Sequence, residues 1–356
     1  MEIEFLSGDI MKKIIYSYTL KELEEYFIGI NEKKFRAKQV FEWLYKERVN
    51  SFQEMTNLSK QIREKLEADF EIEVLKVDTM QQSKDGTVKF LFSLIDGHFI
   101  ESVLMEHLYG YSVCVTTQVG CKMGCTFCAS TLGGVERNLE AGEIVSQVVE
   151  IQKFLDQDQK RVSSVVVMGS GEPFDNFSNT MKFIDLINDE NTLNIGARHI
   201  TVSTCGVVPK IYEFADLNSQ VTLAISLHAT TNIVRSTIMP INRAYNLEKL
   251  IASIEYYNQK TNRRVSLEFG LLNGINDTEE EALRLANLVK HLLCHINIIP
   301  INYVVERGYE KPTQDKIKKF VDVLEKQGLT VTVRREKGSD IDAACGQLRA
   351  KKANLL

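Results

Sequence analysis

Residues 114–130 read CVTTQVGCKMGCTFCAS, four cysteines within fifteen positions. Cys121, Cys125 and Cys128 are spaced C-x3-C-x2-C, while Cys114 stands one strand-length upstream and fits no ligand spacing. Thiolates are soft ligands, suited to zinc or to iron–sulfur clusters. A structural zinc site takes four ligands, commonly as two pairs, and no second C-x2-C pair follows downstream. Three cysteines on one short loop suffice for three irons of a 4Fe-4S cube, which leaves one iron open to chelate a small molecule. A zinc site and three unrelated cysteines remain the alternatives at this point.

Working outward, strand-like runs alternate with amphipathic helical stretches from Tyr111 onward. The strands are YSVCVTT (111–117), SSVVVMG (163–169), HITVSTC (199–205), QVTLAISLH (220–228), RRVSLEFGLL (263–272) and CHINIIPIN (294–302). Helix candidates between them include 141–157, 179–189, 247–260 and 279–293, each with apolar residues three and four apart. Six β/α repeats predict an α/β fold with a parallel sheet, either an open barrel or a doubly wound sheet. The expected strand ends carry small or polar residues: the cysteine loop, GSGEP (169–173), STC (203–205), SLH (226–228) and IN (301–302). That placement favours a barrel with one chemically active mouth. Before it, three helical patterns between Thr19 and about Phe70 predict a small bundle, and TVKFLFSLI-DG-HFIESVLM (87–105) predicts a β-hairpin. The expected divisions are a helical domain over 1–75, a hairpin linker over 76–105, the barrel over 106–335 and a tail over 336–356. The tail brings Cys345 back on a Gly-flanked segment expected to be flexible.

The chain has 356 residues, 44% hydrophobic and 26% charged, a globular composition. No stretch approaches the roughly 20 apolar residues of a spanning helix, and the start MEIEFLSGDIMKK lacks a signal-peptide core. The expectation is a cytoplasmic protein without membrane contact. Seven cysteines in a reducing compartment argue for metal or catalytic use over a disulfide framework. The net charge of −5 gives no global sign of nucleic-acid binding, so local patches must carry that reading.

The cysteine spacing, with Phe127 just before the third cysteine, resembles the radical S-adenosyl-L-methionine (SAM) enzymes. The resemblance implies a partial β6/α6 barrel with a 4Fe-4S cluster on the loop after the first strand. In that superfamily the open iron binds SAM, which the reduced cluster cleaves to a 5′-deoxyadenosyl radical. GSGEP resembles the superfamily's GGEP motif, with Ser170 a variant position. ARHITVSTCGVVPKI, LAISLHA, MPIN and above all SDIDAACGQL narrow the resemblance to the adenine-methylating RNA methyltransferases of the RlmN/Cfr family, over about residues 20–352.

The family resemblance implies a role for each matching residue. Cys345 is methylated by one SAM; a radical made from a second SAM removes hydrogen from the S-methyl group, and the carbon adds to adenine. Glu101 takes the proton from the ring carbon, and Cys114 attacks the Cys345 sulfur, releasing methylated RNA and leaving a disulfide. Judged on the residues alone, Glu101 is an ordinary strand glutamate and Cys114 a buried strand cysteine. Cys121, Cys125 and Cys128 match the cluster ligands. Gly171, Glu172, Ser203, Ser226, Leu227, His228 and Asn302 match SAM contacts, and each lies at or just past an expected strand end. Cys205 and Cys294 match no catalytic position and read as structural; Glu268 lies where it could approach a ribose.

The implied partners are 23S rRNA before full ribosome assembly, tRNA, and an electron donor such as flavodoxin or ferredoxin; a monomer is expected. KKFRAK and YKER, with Phe35, Trp43 and Tyr45 interleaved, form a basic–aromatic patch suited to unpaired bases, and RREKG and RAKK add charge. Methylation at adenine C2 is the favoured reading, on GEPF and ARHITVSTCG. The alternatives are methylation at C8, the antibiotic-resistance activity, and a non-catalytic iron–sulfur RNA-binding or redox protein.

Overall fold

The computed structural model describes residues 12–348 and 350. Its main sheet has ten strands: β1 (Leu75–Gln82), β2 (Val88–Leu94), β3 (Phe99–His107), β4 (Gly110–Cys114), β5 (Val162–Val167), β6 (Ile200–Thr204), β7 (Thr222–Ser226), β8 (Val265–Leu271), β9 (Cys294–Pro300) and β10 (Val331–Val333). They lie side by side in chain order, β1 to β10, with no strand inserted out of turn. From β4 to β10 every neighbouring pair is parallel. A doubly wound sheet requires a reversal of strand order; an unbroken order instead carries every crossover the same way round, which curls the sheet into a barrel. The crossovers hold α4 (Ala141–Asp156), α5 (Phe177–Asn188), α6 (Val208–Asp216), α8 (Leu247–Thr261), α9 (Glu279–Val289) and α10 (Gln314–Lys326), with the short α7 (Asn232–Ile238) ahead of α8.

The barrel strands alternate with period two, and the two faces differ in kind. Val113, Val165, Val202, Leu223, Leu267 and Ile296 are fully buried in the main core. Their inward neighbours Ser112, Thr201, Thr222, Ser266 and Asn297 line an internal cavity of about 1070 Å³. Apolar burial therefore lies between strands and helices, and the interior stays open for chemistry.

The hairpin expected over 76–105 is the latter part of a three-stranded antiparallel extension, β1–β3, continuous with the barrel sheet. Strand β3 pairs antiparallel with β4, placing Val103 opposite Cys114. The Asp96–Gly97 turn joins β2 to β3, with Gly97 at φ +84° and Asp96 Oδ1 accepting from the His98 amide at 3.1 Å.

The tail is fastened at several points, contrary to the flexibility expected of a Gly-flanked segment. The Gly338 amide donates to Asp85 Oδ2 at 3.0 Å and Ser83 Oγ to Asp340 Oδ1 at 2.6 Å. Gly338 has φ +64°, and a Cβ there would stand 2.8 Å from Ala343 and 2.9 Å from Thr87, so glycine lets the tail lie close on β2.

The N-terminal helices α1 (Leu20–Gly29), α2 (Phe35–Glu42) and α3 (Lys60–Asp69) form the expected bundle. Thr19 and Glu22 close a capping box on α1, and α2 runs on into a π-turn over Trp43–Glu47. Phe27, Phe41, Leu44, Tyr45 and Leu66 belong to the same buried core as the barrel helices. Arg48 pairs with Asp156 at 2.6 Å and Lys182 with Glu22 at 2.7 Å across the contact. At its centre the Gly142 amide donates to Ser17 Oγ at 2.9 Å; a Cβ on Gly142 would meet Ile14 Cγ2 at 2.4 Å and the Ser17 amide at 2.7 Å.

In an isolated helix Gly→Ala is stabilising by about 1 kcal/mol. Here the sign reverses: Gly142→Ala is expected to destabilise the chain by about 1–3 kcal/mol. Denaturant unfolding checks the sign, and limited proteolysis should cut first within residues 12–72.

Candidate active site

Beyond Cys114 the chain forms a short ribbon, Gln118–Gly120 paired with Val135–Asn138, and the three cysteines lie on the loop it encloses. Gly120 has φ +76°, and a Cβ there would stand 2.0 Å from the Gly134 carbonyl oxygen, so the ribbon admits only glycine. The loop carbonyls are engaged elsewhere: Thr131 Oγ1 donates to the Cys125 and Cys128 oxygens at 3.0 Å each, and Arg307 Nε to the Cys128 oxygen at 3.2 Å. All three thiols line a second cavity of about 170 Å³ at the barrel mouth.

Burial pushes the Cys121 thiol up to about 12. Burial, then the neighbouring Cys128 and Cys121, pushes Cys125 up, and burial likewise raises Cys128. Such thiols stay protonated unless a bound cation takes their place as counter-charge. Among the described residues no three His, Cys, Asp or Glu side chains are already closed into a chelating group. The donor set is nevertheless three soft thiols around one cavity, and the nearby carboxylate of Glu172 is occupied by backbone amides. That chemistry fits a cluster held by three thiolates and does not fit a hard oxygen-ligated ion.

Gly171, Glu172, Ser203, Ser226 and His228 line this same cavity. Gly171 has φ +102° and lies against Gln118, whose Oε1 accepts from the Glu172 amide at 2.8 Å. Glu172 accepts from the Phe174 amide at 2.9 Å and the Cys205 amide at 2.7 Å, and burial pushes its carboxyl up. His228 sits in left-handed backbone at φ +54°. Its Nδ1 accepts from the Gly270 amide at 2.8 Å, which puts the neutral ring's proton on Nε2. Burial, then the charge of Arg235, holds His228 down at about 3, so it is neutral at ordinary pH. The Phe127 ring meets it edge-on at 5.0 Å. Leu227 does not line the cavity: its side chain is in the core and its amide donates to the Glu268 oxygen at 3.0 Å. Its carbonyl accepts from Arg235 Nε at 3.0 Å.

Arg235 is a residue that sequence reasoning missed. Fully buried, it also donates to the Cys205 oxygen at 2.8 Å and the Ser226 oxygen at 3.1 Å. It thereby satisfies carbonyls at the ends of β6 and β7 that the parallel ladder has released. Burial lowers it to about 10, still charged at neutral pH. An arginine in the middle of the short α7, Asn232–Ile238, gave no signal of this.

The larger cavity meets the smaller at Cys128, Met168, Glu268, Arg334 and Cys345, which line both. Cys114 lines the larger cavity with Cys345. Burial, then Cys345, pushes the Cys114 thiol up to about 12, with Arg334 pulling the other way. The structure thus brings together the two cysteines that lie 231 positions apart in sequence, 345 less 114. Asn302 lines the larger cavity only, and its Nδ2 donates to the Cys345 oxygen at 3.0 Å. The Ala129 amide donates to the Gly346 oxygen at 2.7 Å and Ser130 Oγ to the Leu348 oxygen at 2.7 Å, so the cysteine loop and the tail hold each other. Glu101 lines neither cavity. Its carboxylate is buried on β3, 3.3 Å from the Lys89 ammonium, and accepts from the Ala350 amide at 2.8 Å.

Two expectations are corrected. Tyr45 cannot stack on RNA: it is 2% exposed, edge-on to Tyr16 in the bundle core. Within RREKG, Arg334 points into the barrel, its Nη1 3.7 Å from Met168 Sδ, and nearby Cys345 raises it. Cys205 is buried beside Glu172 and Cys125, close to the site though without a ligand's place in the loop. The HLLCH stretch at 291–295 has metal-pair spacing, but His291 faces Glu255 at 2.8 Å and His295 faces Thr332 at 2.8 Å.

Comparison with known proteins covers both halves of this arrangement. Residues 15–72 match the family model described as ribosomal RNA large subunit methyltransferase N-terminal domain. Residues 115–286 match the radical SAM superfamily. The chain is 59% identical over 344 residues to the "Probable dual-specificity RNA methyltransferase RlmN" of Staphylococcus aureus strain JH9, and equally to that of strain Newman. Each alignment spans 97% of this chain and 94% of the relative. The crystal structure of a radical SAM methyltransferase from Sphaerobacter thermophilus superposes with a TM-score of 0.93 at 41% identity, covering 95% of this chain and all of that one. On these grounds the chain belongs to the RlmN family of radical SAM RNA methyltransferases.

Proposed function

We propose that the protein methylates C2 of an adenine in large-subunit ribosomal RNA, and an adenine in tRNA, with Cys345 carrying the methyl group as an S-methylcysteine. The observation that carries this reading is the meeting of Cys114 and Cys345 in one chamber that adjoins the three-cysteine loop. The dual specificity in the names of the Staphylococcus aureus relatives supports two RNA substrates. Cys121, Cys125 and Cys128 would hold a 4Fe-4S cluster, and Gly171, Glu172, Ser203, Ser226 and His228 would hold SAM beside it. Cluster and SAM, when bound, supply a methyl group and a hydrogen-abstracting radical.

The protein's own residues account for the rest. Asn302 holds the Cys345 carbonyl at 3.0 Å and so sets where the thiol stands in the chamber. Cys345 forms the covalent bond to RNA through its methyl carbon. Glu101 accepts the proton from the target carbon, which requires the tail residues now bonded to it to move aside. Cys114, as a thiolate, then attacks the Cys345 sulfur: the sulfur–carbon bond breaks with its electron pair going to carbon, a disulfide forms, the carbon takes up a proton and the methylated base leaves. With burial holding its thiol near 12, Cys114 is protonated in this arrangement and reacts only after losing that proton. Neutral His228 presents Nε2–H as a donor without adding charge. On the N-terminal bundle, Phe35 is 49% exposed with the Arg36 guanidinium 5.0 Å from its ring centre, a surface suited to an unpaired base. The electron required is assigned to an external donor of the flavodoxin or ferredoxin class.

Two outcomes follow. Cys345→Ala should abolish both S-methylation of the protein and all RNA product, whereas Cys114→Ala should methylate Cys345 normally and then accumulate a covalent protein–RNA adduct on denaturing gels; normal turnover by Cys114→Ala would remove its assigned role. Unmodified rRNA and tRNA incubated anaerobically with enzyme, SAM and reductant should each yield 2-methyladenosine by nucleoside mass spectrometry. Finding 8-methyladenosine without it would overturn the regiochemistry.

A further inference from the structure

Lys89 is the second residue of β2, with its side chain turned into the protein, 8% exposed. Its ammonium lies 3.3 Å from Glu101 Oε1 and 3.4 Å from the Asp342 carbonyl oxygen, to which it donates. Lys89 is registered opposite Val103, and Glu101 opposite Leu91, so the pair meets diagonally across the β2–β3 ladder. The second oxygen of Glu101 accepts from the Ala350 amide at 2.8 Å. The two charges therefore touch the tail at residues 342 and 350, on either side of Cys345.

This placement is costly as a stability device. Well-packed apolar side chains of similar volume usually serve a buried position as well as an ion pair does or better, because two charges must shed water. Around the pair the same face is apolar, with Val103, Cys114, Ala343 and Leu348 packed together. A carboxylate in those surroundings needs a fixed partner to hold its orientation. The ammonium 3.3 Å away supplies one, and a strand keeps the ammonium in place more firmly than a loop would.

We infer that Lys89 is a positioning residue for RNA methylation: it keeps Glu101 as an oriented carboxylate facing the segment that carries Cys345, so that a base stands ready where the covalent protein–RNA bond forms. The inference rests on the reading of Glu101 as that base. In the step concerned, the carbon–hydrogen bond at the target carbon breaks, an oxygen–hydrogen bond forms on Glu101, and the bonding pair stays on the ring. Lys89 gains and loses no proton; it acts through Glu101.

The test uses the full-length, cluster-reconstituted enzyme with SAM, reductant and unmodified rRNA, comparing Lys89→Met, Lys89→Arg and Glu101→Gln with the parent. In Lys89→Met, Cys345 methylation measured without RNA by peptide mass spectrometry should stay within about fivefold of the parent, since it loses one long hydrogen bond to the tail. Release of methylated RNA should fall about tenfold or more, with a covalent protein–RNA adduct accumulating although Cys114 is intact. Lys89→Arg should recover most of the release. Release at the parent rate, or an equal loss of Cys345 methylation and product, would overturn the inference; the second pattern is that of a merely displaced tail. Glu101→Gln separates the two readings. If it fails to accumulate adduct, the assignment of Glu101 as base falls and the role of Lys89 with it. If it accumulates adduct and Lys89→Met does not, the role of Lys89 alone falls.

Discussion

The arrangement depends on the two-sided alternation of the barrel strands. In a filled (β/α) barrel the inward positions are bulky and branched, and the interior is a packed core. Here one inward row is Ser112, Thr201, Thr222 and Ser266, too small to meet across the axis, and the larger Val166, Glu268 and Ile299 line the chamber without closing it. Stability must come from the outward row, where Val113, Val202, Leu223, Leu267 and their neighbours are fully buried against helices. Burying each such side chain is worth roughly 1.5–3 kcal/mol, and none of that is lost by leaving the interior open. The chamber is thus a direct product of which residue falls on which side of a pleat. A one-residue slip in β4, β6, β7 or β8 would turn Val113, Val202, Leu223 or Leu267 into the chamber and the small polar residues against the helices.

Given that chamber, the mouth must be rigid without being filled. Arg235 supplies part of the rigidity by tying three carbonyls at the ends of β6 and β7 to a single guanidinium. Lysine offers fewer donors and no fixed fork, so it could not serve all three. The left-handed backbone of His228 follows directly after these tied residues, and Asn276 Nδ2, at 2.8 Å from the His228 oxygen, fixes it from the other side. A strained residue of this sort persists where its surroundings over-determine it.

The alternating pattern and the cysteine spacing were legible because both are local in sequence. The barrel, the bundle and the cysteine loop follow from residues at most a few positions apart. What could not be seen depends on contacts between distant residues or on missing periodicity. Strand β1 escaped notice because LKVDTMQQ is exposed at every position after Leu75 and so carries no alternation. Tyr45 lies in a basic stretch, yet the bundle closes over it. Arg334 is one of four charged residues in a row, and only the bend after β10 turns it inward while Arg335 stays exposed. The binding of the tail joins Ser83 to Asp340 across 257 positions, and composition alone suggested flexibility. Of the candidate residues, Cys114 and Cys345 came together as family resemblance implied, whereas Glu101 stands behind the tail, and Leu227 is in the core.

The tail also accounts for the three antiparallel strands that precede the barrel. A six-repeat barrel has no need of them to bury its helices, but a thiol delivered from the far C-terminus needs a surface to rest on. Strands β2 and β3 provide it: Thr87 lies beneath Gly338, Lys89 reaches Asp342, and Val103 packs with Ala343 and Leu348. Because β3 pairs with β4, that surface is in fixed register with Cys114. The distance between the two thiols is therefore governed by one continuous sheet and not by a loop. Cys114 is thus carried on the same sheet whose neighbouring strands hold the segment around Cys345.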